Sequence, residues 1–220
     1  MRAIILAAGF GQRLRPFTND KPKAMVELRG RTIIQRQLDI FKAAGISSIV
    51  IVGGHGFNTL RDTGCTLIEN IDYLKTNMVY SLLCARDYLN DDVIVSYGDI
   101  IYEPIILETI MRSERNISVA VDMNWLSYWK LRFDNPLSDA ETLRIGKKQE
   151  LIEIGNKPRN YKDIEAQFMG LMKINKKGLK DILTLCDSIN TKNDELPLNL
   201  NGKPVEVAYT TDLLNQLIIE

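Results

Sequence analysis

AIILAAGFGQRLRPFTNDKPK, residues 3–23, begins as a short apolar run and stops abruptly at Gly9. An apolar run of that length ended by glycine is what a strand buried on both faces looks like, and such strands belong to parallel sheets. Four small residues follow one another closely, Ala7, Ala8, Gly9 and Gly11, so backbone N–H groups there can approach an anion. Behind them come Arg13, Arg15, Lys21 and Lys23, four cations within eleven residues. Donors that fit around oxygens, and charge to offset the charge gathered there, are what a triphosphate requires. Two better-known glycine loops do not fit. A P-loop needs GxxxxGK followed by Ser or Thr, which is absent. A dinucleotide fingerprint needs a small third residue, and Leu14 occupies that place.

Outward from this loop, strand-like and helix-like segments alternate. Residues 33–44 carry apolar positions at helical spacing and end at Gly45. Residues 48–52 (SIVIV) form a second buried strand, closed by Gly53-Gly54, and 65–69 a weaker third. A helix over 79–89, a buried strand over 93–97, a helix over 105–112 and a strand over 117–122 complete the first half. The alternation predicts an α/β fold: a three-layer αβα, mostly parallel, Rossmann-like sheet with helices on both faces. Ligands in such sheets sit at the carboxyl ends of the strands. The polar, glycine-rich stretches 9–23, 53–56 and 98–99 all fall there. Residues 142–155 predict a β-hairpin turning near 147–149, and 167–174 a strand that returns to the sheet. A helix over 177–189, a loop over 191–204 and a helix from Thr210 or Thr211 to Glu220 follow. The hairpin and the aromatic, charged stretch 125–137 form a small β-hairpin/helical insertion on a single domain spanning 1–220, with residues 1–121 as nucleotide-binding half and 122–220 as acceptor-binding half.

Composition narrows the function further. Lys plus Arg and Asp plus Glu are both 28, so the formal charge is zero, which argues against nucleic acid as partner. The three cysteines, Cys65, Cys84 and Cys186, form no CxxC pair and read as inert thiols in a reducing compartment. No stretch is long enough to span a bilayer, and the expectation is a cytoplasmic protein without a membrane partner. A lone histidine, His55, cannot build a metal site or a triad and is assigned no catalytic role.

Two further groups suggest chemistry. Asp99, beside Gly98 at the end of the strand VIVSY, can reach a cation on a triphosphate, and Mg²⁺ favours one or two carboxylates plus phosphate oxygens. Trp125, Tyr128 and Trp129 cluster, and either cage a quaternary ammonium or serve as a packing platform.

The long string matches LAAGxGxRLxPxTxxxPKxM through Met25. It resembles the signature of the nucleotidyltransferase family with a GT-A-like fold. That family includes sugar-1-phosphate nucleotidyltransferases and small cytidylyltransferases acting on phosphocholine, phosphonates and phosphoglutamine. The resemblance implies that Arg13 binds the β- and γ-phosphates, that Lys23 holds the reacting phosphates, and that backbone from Leu6 through Ala7, Ala8 and Gly9 to Gly11 meets base and phosphates. It places Asn77 and Ser81, in the stretch NIDYLKTNMVYSL, on the base or ribose, with Gly98 beside the nucleotide and Asp99 as Mg²⁺ ligand. Glu153-Ile-Gly-Asn-Lys157-Pro158 is similar to the family's Glu-x-Lys-Pro element, whose lysine holds the acceptor phosphate. Trp125, Trp129, Glu165 and Gln167 would line the acceptor pocket.

The stretch 125–146 is more similar to the phosphocholine and phosphonate enzymes than to the sugar enzymes. CTP and a small phosphorylated acceptor are therefore the expected partners. The alternatives are a sugar-1-phosphate enzyme using another triphosphate and a non-catalytic nucleotide-binding regulator. The family's second acidic metal ligand follows a motif like Thr211-Asp212-Leu213, and would lie beyond Glu220 if the chain is truncated there. Oligomeric state is not legible, and a homodimer stays open.

Overall fold

The structure is a computed structural model that describes residues 1–190 and 200–219. In chain order its elements are β1 (Arg2–Ala7), the two-residue strands β2 (Glu27–Leu28) and β3 (Arg31–Thr32), α1 (Ile33–Ala43), β4 (Ile49–Gly53), β5 (Thr66–Glu69), α2 (Met78–Cys84), β6 (Val93–Tyr97), α3 (Pro104–Met111), β7 (Ile117–Asp122), α4 (Trp125–Arg132), β8 (Leu143–Ile145), β9 (Leu151–Ile154), β10 (Gln167–Ile174), α5 (Lys176–Asn190) and α6 (Thr210–Ile219).

The main sheet has the order β5-β4-β1-β6-β10-β7. The pairs β4–β5, β1–β4 and β1–β6 are parallel, while β10 runs antiparallel to both β6 and β7. The expected mostly parallel sheet is therefore present, and the strand that returns to it enters between two others. Period-2 alternation sorts the side chains of β1. Ile4 and Leu6 join a core layer with Val79 and Leu82 of α2, Leu179, Ile182 and Leu185 of α5 and Leu213 of α6. Ala3, Ile5 and Ala7 face the other layer, with Ile34, Leu38 and Phe41 of α1 and Leu107 and Ile110 of α3. Three layers result. Hairpin β8–β9 packs Leu143 and Ile154 against Leu214 of α6.

Local chemistry explains the element ends. Thr32 and Gln35 form a reciprocal capping box at the start of α1. Gly45 (φ +80°) closes its other end, with the Ile46 amide donating to Phe41 O at 2.9 Å. Pro104 occupies the first turn of α3, where its missing N–H costs nothing.

The structure refines the expectation in several places. The helix predicted over 79–89 ends at Cys84 and continues as a separate 3-10 turn over Arg86–Tyr88, because the Ala85 amide turns back to Leu82 O at 3.0 Å. Asn77 caps that helix, and Ser81 lies inside it. The helical part of the insertion is α4, whose bounds periodicity did not reveal. Of the loop predicted over 191–204, residues 191–199 lie outside the described residues, and Leu200 and Lys203 close a tight turn.

Candidate active site

β1 and β6 are the neighbours between which the chain reverses its direction of travel across the sheet. Their carboxyl ends open the crevice where α/β sheets hold ligands. The register pairs Leu6 with Tyr97, and the Gly98 amide donates to Leu6 O at 2.8 Å. A Cβ at Gly98 would stand 2.9 Å from Ala7 Cβ, so glycine is what lets the two chain ends leave the sheet side by side. The glycine loop from β1 and the carboxylate from β6 thus emerge together.

Gly11 sits at φ +66° and caps the short 3-10 turn Gln12–Leu14. A Cβ there would come within 2.9 Å of Lys23 Cγ, so Lys23 folds back along the loop. Lys23 Nζ lies 2.9 Å from Asp99 Oδ2. The Asp99 side chain is still 40% exposed, so this carboxylate can reach a ligand. Arg13 is 67% exposed and pairs loosely with Asp139 at 3.7 Å. Leu6, Ala7 and Ala8 are buried, with Gly9 exposed at the loop crest. Gly11, Lys23, Gly98 and Asp99 therefore converge, and Arg13 stands at the rim, held by a long ion pair.

Beneath the carboxylate lies a residue that sequence reading missed. Gln37 of α1 is 1% exposed, and its Nε2 donates to Tyr97 O and Ile100 O, both at 2.8 Å. Its Oε1 accepts from Ser96 Oγ at 2.9 Å. It clamps the turn that carries Gly98 and Asp99. The available signal was a polar residue on the apolar face of a helix, which must find partners to be buried there.

The remaining predicted residues are placed as follows. Asn77 accepts from the Met78 amide and donates to Val207 O at 3.4 Å. Ser81 is buried and its Oγ accepts from Asn70 Nδ2 at 3.1 Å, inside the core layer and not on an open surface. Gln167 uses its amide on the backbone of Glu141, accepting from the amide at 3.2 Å and donating to the carbonyl. It thereby holds the segment with Asp139 opposite Arg13. Glu165 accepts from the Ile145 amide at 2.6 Å and so closes the hairpin. Trp125 is buried with Ala140 and Ile164, and Trp129 packs edge-on to it with ring centroids 6.1 Å apart. Arg132 lies over Tyr128 and Trp129. The two tryptophans pack against protein side chains, and the Trp129 Nε1 atom is buried with no partner among the described residues.

Lys157 is exposed just after β9, on a turn tied down from two sides. Gly155 (φ +84°) packs on Thr211, and Asn201 Nδ2 donates to Asn156 Oδ1 at 3.1 Å. Asp212, fully buried, anchors the same region by accepting from Lys203 Nζ at 2.8 and 2.9 Å and from the Tyr209 amide at 2.8 Å. Burial raises the carboxyl pKa of nearby Glu141, against a hydrogen bond from Thr211 that lowers it. Burial likewise raises the Tyr97 phenol, which bonds Thr210 and feels the charges of Glu141, Asp99 and Asp212. Among the described residues no group of three or more His, Cys, Asp or Glu could hold a metal without help from a ligand. Among them, too, no helix is long and apolar enough to cross a membrane.

Residues 3–128 match the MobA-like NTP transferase domain. The chain is 37% identical to the CTP:phosphoglutamine cytidylyltransferase of Campylobacter jejuni, over 99% of this chain and 88% of that protein. It is 33% identical to the choline-phosphate cytidylyltransferase of Streptococcus pneumoniae over 51% of each. In fold it is similar to the inositol-1-phosphate CTP transferase from T. maritima, with a TM-score of 0.71 and 20% identity over 99% of this chain and 81% of the other.

Proposed function

The chain belongs to the MobA-like NTP transferase family, and from that premise we propose that it transfers CMP from CTP to a small phosphorylated acceptor and releases pyrophosphate. The observation that carries this reading is the near-full-length likeness to the Campylobacter enzyme. The convergence of Gly11, Lys23 and Asp99 at one sheet end supports it from the chemistry.

An acceptor phosphate oxygen attacks the α-phosphorus in line. The new O–P bond forms as the bond from the α-phosphorus to the β-phosphate oxygen breaks, and pyrophosphate leaves. The nucleophile is already an anion, so no general base is required. The barrier is anion–anion repulsion plus charge growing on the leaving group, and catalysis is positioning and charge stabilisation. Backbone of the glycine loop receives the phosphates. Lys23, beside Asp99, offsets charge at the α-phosphate. Arg13, exposed at the rim and 3.7 Å from Asp139, takes the leaving pyrophosphate. Lys157 on its tethered turn brings the acceptor phosphate.

Asp99 fits a hard divalent cation such as Mg²⁺, since one exposed carboxylate plus phosphate oxygens and water is that ion's usual donor set. When bound there, it would supply Lewis-acid stabilisation of the phosphate oxygens.

Pyrophosphate release, measured with each of the four ribonucleoside triphosphates and a panel of phosphoglutamine, phosphocholine, a phosphonate and sugar-1-phosphates, tests the reading. CTP with one of the first three is expected to turn over fastest. Preference for another triphosphate with a sugar phosphate would replace it.

A further inference from the structure

His55 has no part in the chemistry above, yet it joins the phosphate loop from outside at three points. It sits in the turn that follows β4. Its Nε2 lies 2.9 Å from Thr18 O. A carbonyl can only accept, so Nε2 carries the hydrogen, and both the neutral Nε2–H tautomer and the imidazolium keep that donor. The His55 backbone amide points to Ala8 O at 3.4 Å. Its ring meets Phe10 edge-on, with centroids 4.6 Å apart. One residue thus touches the loop at its beginning, near its crest and toward its end.

The link continues inward to the anion-facing backbone. Thr18 is wholly buried, and its Oγ1 donates to Gly11 O at 2.8 Å. A Cβ on Gly11 would come within 3.1 Å of Thr18 Cγ2, so Thr18 also presses directly on the glycine. The flanking glycines permit the approach. A Cβ at Gly54 would stand 2.8 Å from Ala8 O, and one at Gly56 (φ +62°) would stand 2.7 Å from Lys21 Cα.

We propose that His55 is a positioning residue for the nucleotide: through Thr18 O it holds the loop of residues 8–18 in the conformation that presents Gly11 to a triphosphate. The proposal rests on the reading of that loop as the phosphate site. It implies a selective effect on nucleotide affinity, since His55 itself would touch neither substrate.

The test is calorimetric binding of CTP with Mg²⁺ to the full chain, with thermal midpoints recorded alongside. His55→Phe keeps a ring against Phe10 and removes the donor. It is expected to weaken CTP about tenfold, the size of one lost hydrogen bond, with the midpoint little changed. His55→Gln keeps an N–H donor and is expected to recover most of the affinity. Thr18→Val, which cuts the next link without touching the imidazole, is expected to weaken CTP as His55→Phe does. His55→Phe binding within twofold of wild type, or His55→Gln losing as much as His55→Phe, overturns the proposal. If His55→Phe does not fold, undiminished binding by Thr18→Val overturns it alone. Wild-type protein that binds no nucleoside triphosphate overturns the phosphate-site reading itself, and the role of His55 with it. Wild-type binding with unaffected variants removes only the role of His55.

Discussion

Lys23 and Asp99 come from positions 76 residues apart and meet at 2.9 Å. Each was singled out in the sequence by its surroundings, Lys23 by the cation run and Asp99 by the glycine before it at a strand end. Their pairing could not be read there, because it depends on β1 and β6 being neighbours in the sheet. Lys23→Ala and Asp99→Asn are each expected to lower turnover by about 10²–10³-fold, the usual cost of removing one group that stabilises developing charge. The far-ultraviolet dichroism of both should stay that of the wild type, since neither side chain is in the core. Near-normal pyrophosphate release from either variant would remove that residue from the mechanism. Arg13 illustrates the opposite limit of legibility. Its place in the cation run was visible, but its partner Asp139 was not, because Gln167 sets that segment in place through backbone bonds from a distant strand.

Among the elements, α1 does more than cover the sheet. Its boundaries were legible to within a residue, since apolar positions at helical spacing begin at Ile33 and a glycine closes it. What periodicity did not disclose is that Gln37, on its buried face, supports the turn of Asp99. Replacing Gln37 by Leu removes the donor that the part-buried Tyr97 and Ile100 carbonyls share. We expect a loss of about 1–3 kcal/mol in denaturant unfolding, and a raised Mg²⁺ requirement in turnover as the turn loosens. A variant as stable as wild type with an unchanged metal requirement would show that the clamp does not matter. Of the helices, α2 and α4 were the least legible. α2 is only seven residues long, and its continuation is a 3-10 turn. α4 buries its Trp125 in a small cluster of its own and carries exposed Tyr128 and Leu131 on other sides, so no single apolar stripe marks it.

For the whole molecule, the two halves read from the sequence share one core layer. Ile4, Val50 and Val95 pack with Met172, Leu179, Val205 and Leu213, so neither half can open without exposing the other. A single unfolding transition is therefore expected, coincident by fluorescence and dichroism. Its pH dependence should include Cys186, which lies in that layer. Burial, followed by the nearby Asp187 charge, pushes its thiol up to about 11, with Arg86 pulling the other way. An unfolded thiol titrates near pH ~8.5. The folded pKa is raised, so the contribution is full below ~8.5 and is lost as pH rises toward about 11. The thermal midpoint should fall across that window, and Cys186→Ala should fall less steeply even from a lower start. Parallel curves would exclude the thiol. The sequence alone determined the layered α/β architecture, the strand ends at which the glycine loop and Asp99 emerge, and the small and cationic residues of the first loop. Each of these is written in local order, as apolar runs, glycines and neighbouring charges. Only the tertiary structure decided that β10 enters antiparallel between β6 and β7, that Gln37 and His55 brace the two loops, and that Ser81 and Gln167 spend their polar atoms on the protein's own interior. Those outcomes depend on which distant segments are brought within hydrogen-bond distance, and a side chain's partner across the sheet leaves no mark on its neighbours in the chain.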